Sequence, residues 1–186
     1  CDWSSDVCSS DLDGQGQPLA QLPQAHTFDD IAGHYAEKEI TLLGKAGFMG
    51  EYRPSFRPQE NITAATLLRT MLGTRYGLYT VQKASDQEVI QQAVKKGWLK
   101  ETVTPDTLVN RELLAQAAIR SLGLGYLAEV PDIYRYPFQD QISSNLEGYV
   151  TLCWGLGIMK GDGQNFHPDQ LVSRAEAAMI IIRLQQ

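Results

Sequence analysis

A mainly α-helical fold, built from three copies of one helix–loop–helix unit, is what this sequence predicts. Three observations carry that reading. Two long stretches resemble each other at a fixed spacing, with Phe28, Asp30, Gly47, Phe56, Pro58 and Ile62 answered 110 residues later by Phe138, Asp140, Gly157, Phe166, Pro168 and Val172. A strong helix-start residue stands at the same place in each copy: Thr63, Asn110 and Ser173. The helices that follow, such as "LLAQAAIRSLG" and "AEAAMIIIRL", are apolar nearly all round and so must be buried on most sides.

Each copy has the same plan. An entry loop opening with Phe-x-Asp leads to a first, amphipathic helix, Ala36 to Lys45 in copy one and Leu146 to Leu156 in copy three. A glycine ends it, as expected just past a helix C-terminus. A Gly/aromatic loop follows and closes with Phe-x-Pro in the outer copies. The second helix then begins, with Ser173 and Glu176 forming a capping-box pattern in copy three. Between the outer copies lies a weaker one. Ile90 and Gly97 sit 50 residues beyond Ile40 and Gly47, whereas Pro105 and Val109 sit 47 beyond Pro58 and Ile62. The turn of this copy is thus shorter, and its Phe-x-Asp is not recognisable. The copies span 28–73, 78–123 and 138–184. A unit of this size cannot bury a sufficient core alone, so the three should form one cooperative body. The second helices are expected to pack together at its centre, with Ile181, Met179 and at least one of Leu113, Leu114 and Ala117 buried.

Residues 1–27 stand apart. The opening "CDWSSDVCSSDL" resembles a translated sequencing adapter and is set aside from the fold; a Cys1–Cys8 loop is the alternative. Residues 13–27, rich in Gly, Gln and Pro, read as a flexible linker. A cargo domain N-terminal to this fragment is expected. The net charge of −6 argues against a nucleic-acid binder, and no apolar run is long enough for membrane insertion. His26, His34 and His167 are scattered without zinc-ligand spacing, and "DGQNFHPDQ" lacks the glycine and final glutamate of an EF-hand loop. No nucleophile set or phosphate loop is present. No cofactor and no catalytic function are expected.

The ordered set "FQD", "LGIMKGDG", "FHP" and "VSRAEAA" in copy three resembles the S-layer homology (SLH) domain family. Copy one matches in "FDD", "YAEKEI", "AGFMGEYRPSFRP" and "ITAAT", and copy two keeps "KKGWL" and "VNREL". The resemblance implies three repeats in a pseudo-threefold arrangement around a central three-helix bundle. It also implies an extracellular, cell-envelope module that anchors proteins non-covalently to cell-wall polysaccharide, pyruvylated or peptidoglycan-linked, through grooves between repeats. A protein–protein assembly module with decayed glycan sites is the competing reading.

Within that resemblance, Arg174 raises a physical question, because a cation stands at the positive end of a helix dipole. A bound anion resolves it: helix-end amides and a guanidinium would hold a carboxylate together. Arg174 is therefore expected at the surface, in a groove between copy three and a neighbour, with pairing to a surface acid as the plainer alternative. Copy two keeps the pattern as Asn110 and Arg111, while Ala64 and Thr66 replace the arginine and glutamate in copy one, putting that site in doubt. Ser173 is chiefly a cap. Lys160 lies near the arginine loop in the family layout and can add charge. Trp154 faces either the core or the groove, Trp98 reads as core, and Tyr52 and Tyr149 are weaker candidates for a sugar platform.

Overall fold

The computed structural model describes residues 28–100, 103–131 and 133–185. The expectations for 1–27 lie outside the described residues. The fold is mainly α, and among the described residues there are only isolated β-bridges. In chain order the elements are α1 (Glu37–Lys45), α2 (Ala64–Tyr76), a 3-10 turn (Leu78–Thr80), α3 (Asp86–Lys95), α4 (Arg111–Ser121), α5 (Gly125–Ala128), α6 (Glu147–Gly155) and α7 (Arg174–Arg183).

The start and stop signals act as their chemistry dictates. Thr63, Asn110 and Ser173 each accept a bond from the third amide of the following helix, and Ser173 forms a full capping box with Glu176. Ser85 and Glu88 make a second box at the start of α3. Gly47, Gly97 and Gly157 adopt φ of 85°, 74° and 71°, the left-handed conformation that lets the chain reverse after α1, α3 and α6. The Phe-x-Asp motif is explained too. Asp30 accepts the Phe56 and Arg57 amides at 2.7 Å each. Asp140 accepts those of Phe166 at 3.0 Å and His167 at 2.6 Å. Each motif aspartate thus clamps the far end of the loop, and the motif phenylalanine packs on the loop phenylalanine, with ring centroids 5.1 Å apart for Phe28–Phe56 and 5.6 Å for Phe138–Phe166.

The three segments meet in a closed ring of backbone hydrogen bonds. Ile62 N–H donates to Val172 O (2.9 Å), Val172 N–H to Val109 O (2.8 Å), and Val109 N–H to Ile62 O (3.0 Å). All three residues are buried. The helix bodies then pack across segments: α1 on α7, α3 on α2, and α6 on α4. Among the described residues only α2 and α7 of the second helices come into close backbone contact. Buried residues of α2, α4 and α7 share one core cluster, and the ring and the exchanged first helices join the segments around it. Ile181, Leu114 and Ala117 are fully buried, as expected, whereas Met179 is only half-buried against the core. Trp98 is core and Trp154 is 49% exposed.

Candidate functional site

The sequence places an arginine at the first position of α7, and the structure turns its side chain inward. Arg174 is 2% exposed, so the expected surface position is corrected. Its Nε donates to Phe56 O at 2.8 Å and its Nη2 to Met49 O at 3.0 Å, while Nη1 pairs with the Glu51 carboxylate. The guanidinium also lies over the Tyr52 and Phe56 rings, 4.9 and 4.8 Å from their centroids. The residue fastens the last segment to the loop of the first. Its partner is an acid, as the plainer alternative held, but one remote in sequence.

Nor are the helix-end amides free to hold an anion. Arg174 N–H donates to Glu60 O (2.8 Å) and Ala175 N–H to Pro58 O (3.0 Å). The starts of α2 and α4 repeat this, with Ala64 and Ala65 donating to Thr107 and Pro105, and Arg111 and Glu112 donating to Gln170 and Pro168. The next amide is taken by the cap side chain in each case. Every early amide of the second helices that an anion would need is spent inside the fold, which corrects the expected amide-plus-arginine site. Ser173 remains a cap, bonded to Glu176.

Arg111 occupies the matching place on α4 but in a different electrostatic state. Its Nε donates to Phe166 O at 2.8 Å and its Nη2 to Lys160 O at 2.6 Å, and its guanidinium lies 4.6 Å from the Phe166 ring centroid. It thus does for the last segment's loop what Arg174 does for the first's. Among the described residues, however, no carboxylate lies within ion-pair distance of it, and Nη1 has no hydrogen-bond partner. Gly161 stands where the 110-residue spacing puts the counterpart of Glu51. The side chain is only half-buried. Burial pushes the guanidinium pKa down, opposed by the more distant Glu176 and Asp140.

Three of the expected site residues gather here. The Lys160 carbonyl holds Arg111 while the residue itself is exposed. Trp154 joins the same neighbourhood through a run of aromatic rings, 6.4 Å from Phe138, which contacts Phe166 beneath Arg111. Asn110 lies elsewhere, in a cavity of about 250 Å³ beside Lys100, Glu112 and Gln116. Tyr149 is fully buried and bonded to Glu129 and Arg120, which removes it as a sugar platform.

The structure also brings forward residues that sequence reasoning left aside. A cavity of about 600 Å³ opens between the first loop, α2 and α3, lined by Tyr52, Arg53, Thr66, Arg69 and Asp86. This is the copy-one groove, doubted for want of an arginine at Ala64. Arg69 is engaged by Asp86 at 2.7 Å and by Val81 O. Arg69 recurs at no matching position in α4 or α7, so the repeat pattern gave no signal for it. No cluster of His, Cys, Asp or Glu fit to hold a metal occurs among the described residues.

The helical segments are stapled by arginines, with polar cavities at their junctions. The S-layer homology domain model matches residues 27–65 and 137–178, and the chain carries that domain in both stretches. The domain is a cell-surface anchoring module. The chain is also 26% identical to exoglucanase XynX of Acetivibrio thermocellus, over 91% of its own length and 17% of that protein's. It therefore spans about a sixth of that relative. No described helix is long and apolar enough to cross a membrane.

Proposed function

We propose that the module anchors its protein to the cell envelope by holding a carboxylate of an acidic cell-wall polysaccharide at Arg111. One comparison within the molecule carries this reading. Two arginines are held alike by loop carbonyls and aromatic rings; one of them, Arg174, has a carboxylate on Nη1, and the other, Arg111, has none among the described residues. Glu51 thus displays the geometry that a pyruvyl or uronic carboxylate would take on Arg111. Charge-assisted bonds of this kind are roughly twice as strong as neutral ones, and half-burial limits screening by salt. Lys160 and the exposed face of Trp154 supply additional charge and a platform for a sugar ring. Arg174 and Ser173 support the site indirectly, by fixing the loop and helix that frame it.

The same reading takes residues 78–123 as a third, divergent repeat and the whole as pseudo-threefold. The closed hydrogen-bond ring and the like docking of all three second helices support it. The placement is extracellular, and a cargo domain on the same chain is what such an anchor would carry. The assembly-module reading is weaker, because Nη1 of Arg111, unlike that of Arg174, meets no carboxylate among the described residues. Sedimentation with purified sacculi separates the two: binding should fall sharply once accessory glycan is stripped or its carboxyl groups are reduced. Equal binding to intact and stripped sacculi would refute the glycan reading.

A further inference from the structure

Arg111 is gripped by two carbonyls of one loop, Lys160 O and Phe166 O. The turn between them fixes their separation. Asp162 Oδ1 accepts the Gln164 and Asn165 amides at 2.8 and 2.7 Å, and the Asp162 amide donates to Asn165 O at 3.1 Å. Asp162 Oδ2 meets His167 Nε2 at 2.7 Å. Bonds from the Asn165 and Gln164 amides and from His167 hold the Asp162 carboxyl well below the usual carboxylate range, so it stays an acceptor and the imidazole donates. The pair thus joins a residue two beyond Lys160 to the residue directly after Phe166.

The turn closed in this way also decides what can reach Arg111. A Cβ on Gly161 would stand 2.2 Å from Asn165 O and 2.4 Å from Cε1 of Phe138. No side chain therefore fits at the position from which Glu51 reaches Arg174 in the first segment. Asp162, the one acid over 158–168, spends both oxygens inside the turn.

The first segment carries the same construction in different chemistry. The residues 110 positions before Asp162 and His167 are Tyr52 and Arg57, and the Arg57 guanidinium lies 4.2 Å from the Tyr52 ring centroid. Arg57 and His167 share a left-handed backbone, with φ of 61° and 59°, a conformation uncommon outside glycine that its surroundings must hold. Asp30 and Asp140 do so by accepting the Arg57 and His167 amides. Both loops are thus braced between the same two positions by chemically different pairs, which marks the brace as part of the loop's construction.

We infer that Asp162 and His167 are positioning residues for Arg111: their brace sets the two carbonyls that aim the guanidinium and keeps its Nη1 clear of internal carboxylate. The inference rests on the reading of Arg111 as the carboxylate site, and both residues act through Arg111.

NMR of the Arg111 Nε–H group, together with sedimentation on purified, glycan-bearing sacculi, tests this. Both members of the pair are about half exposed, so His167→Ala should fold with a nearly unchanged melting temperature. It should nevertheless shift the Arg111 Nε–H resonance and weaken sacculus binding about threefold to fivefold, the size expected of a partly exposed pair. His167→Arg, which keeps a cation at this position as Arg57 does in the first segment, should restore both. An unmoved Arg111 Nε–H in folded His167→Ala, undiminished binding by that variant while Arg111→Gln loses it, or no recovery in His167→Arg would each overturn the brace. Failure of the carboxylate reading gives a different pattern: sacculus binding indifferent to Arg111→Gln, with the Nε–H resonance still reporting on the brace.

Discussion

Arg174 and Arg111 hold their loops alike and differ in what meets the third guanidinium nitrogen, the Glu51 carboxylate in one case and, among the described residues, no partner in the other. Truncating Arg174 removes two carbonyl bonds and a buried ion-pair partner at once. Arg174→Ala should therefore cost about 3 kcal/mol of unfolding free energy, read from a urea transition, and Arg174→Lys should recover only a part because an ammonium lacks the planar fork. Asp140 carries a second prediction at this scale. Burial pushes its carboxyl up, but bonds from the Phe166 and His167 amides and the Tyr136 hydroxyl outweigh that and leave it below its ordinary value of 3.8. A group depressed in the folded state contributes stability above its unfolded pKa and loses it as pH falls through the folded one. The midpoint should thus drop as pH is taken below about 4, and Asp140→Asn should flatten that dependence. The inward turn of Arg174 was not legible in the sequence. Whether a cation at a helix start faces water depends on loop carbonyls well over a hundred residues away, and periodicity carries no trace of them.

Among the elements, the caps, the three helix-ending glycines and the apolar second helices were legible, because each depends on residues within a turn or two of one another. The exchange of first helices between segments was not, since an amphipathic face states that it is buried and not against what. The α5 insertion was missed for a related reason. Four helical residues have no period to detect, and their docking depends on a glycine in another helix. Gly148→Ala tests that dependence. The added methyl has no room beside Ala128 O, so overpacking should destabilise the protein by about 1–3 kcal/mol and displace the insertion, seen as chemical-shift changes from Gly125 to Tyr134.

For the whole molecule, the closed ring of Ile62, Val109 and Val172 makes the segments mutually dependent, so unfolding should be a single transition. Ile181→Asp places an unpaired charge at a fully buried position and should unfold the entire module; two separated melting steps in the unmodified protein would count against one cooperative core. The anchoring account separates binding from stability within this one body. Its central claim is that Arg111 touches the wall glycan while Arg174 holds the fold. The most direct measurement is the affinity of the Arg111→Gln protein for purified, glycan-bearing sacculi, taken alongside its melting temperature. The account predicts binding weaker by about tenfold or more, the loss expected for a hydrogen bond to a charged group, with far less thermal loss than Arg174→Ala suffers. Undiminished sacculus binding by folded Arg111→Gln would contradict it.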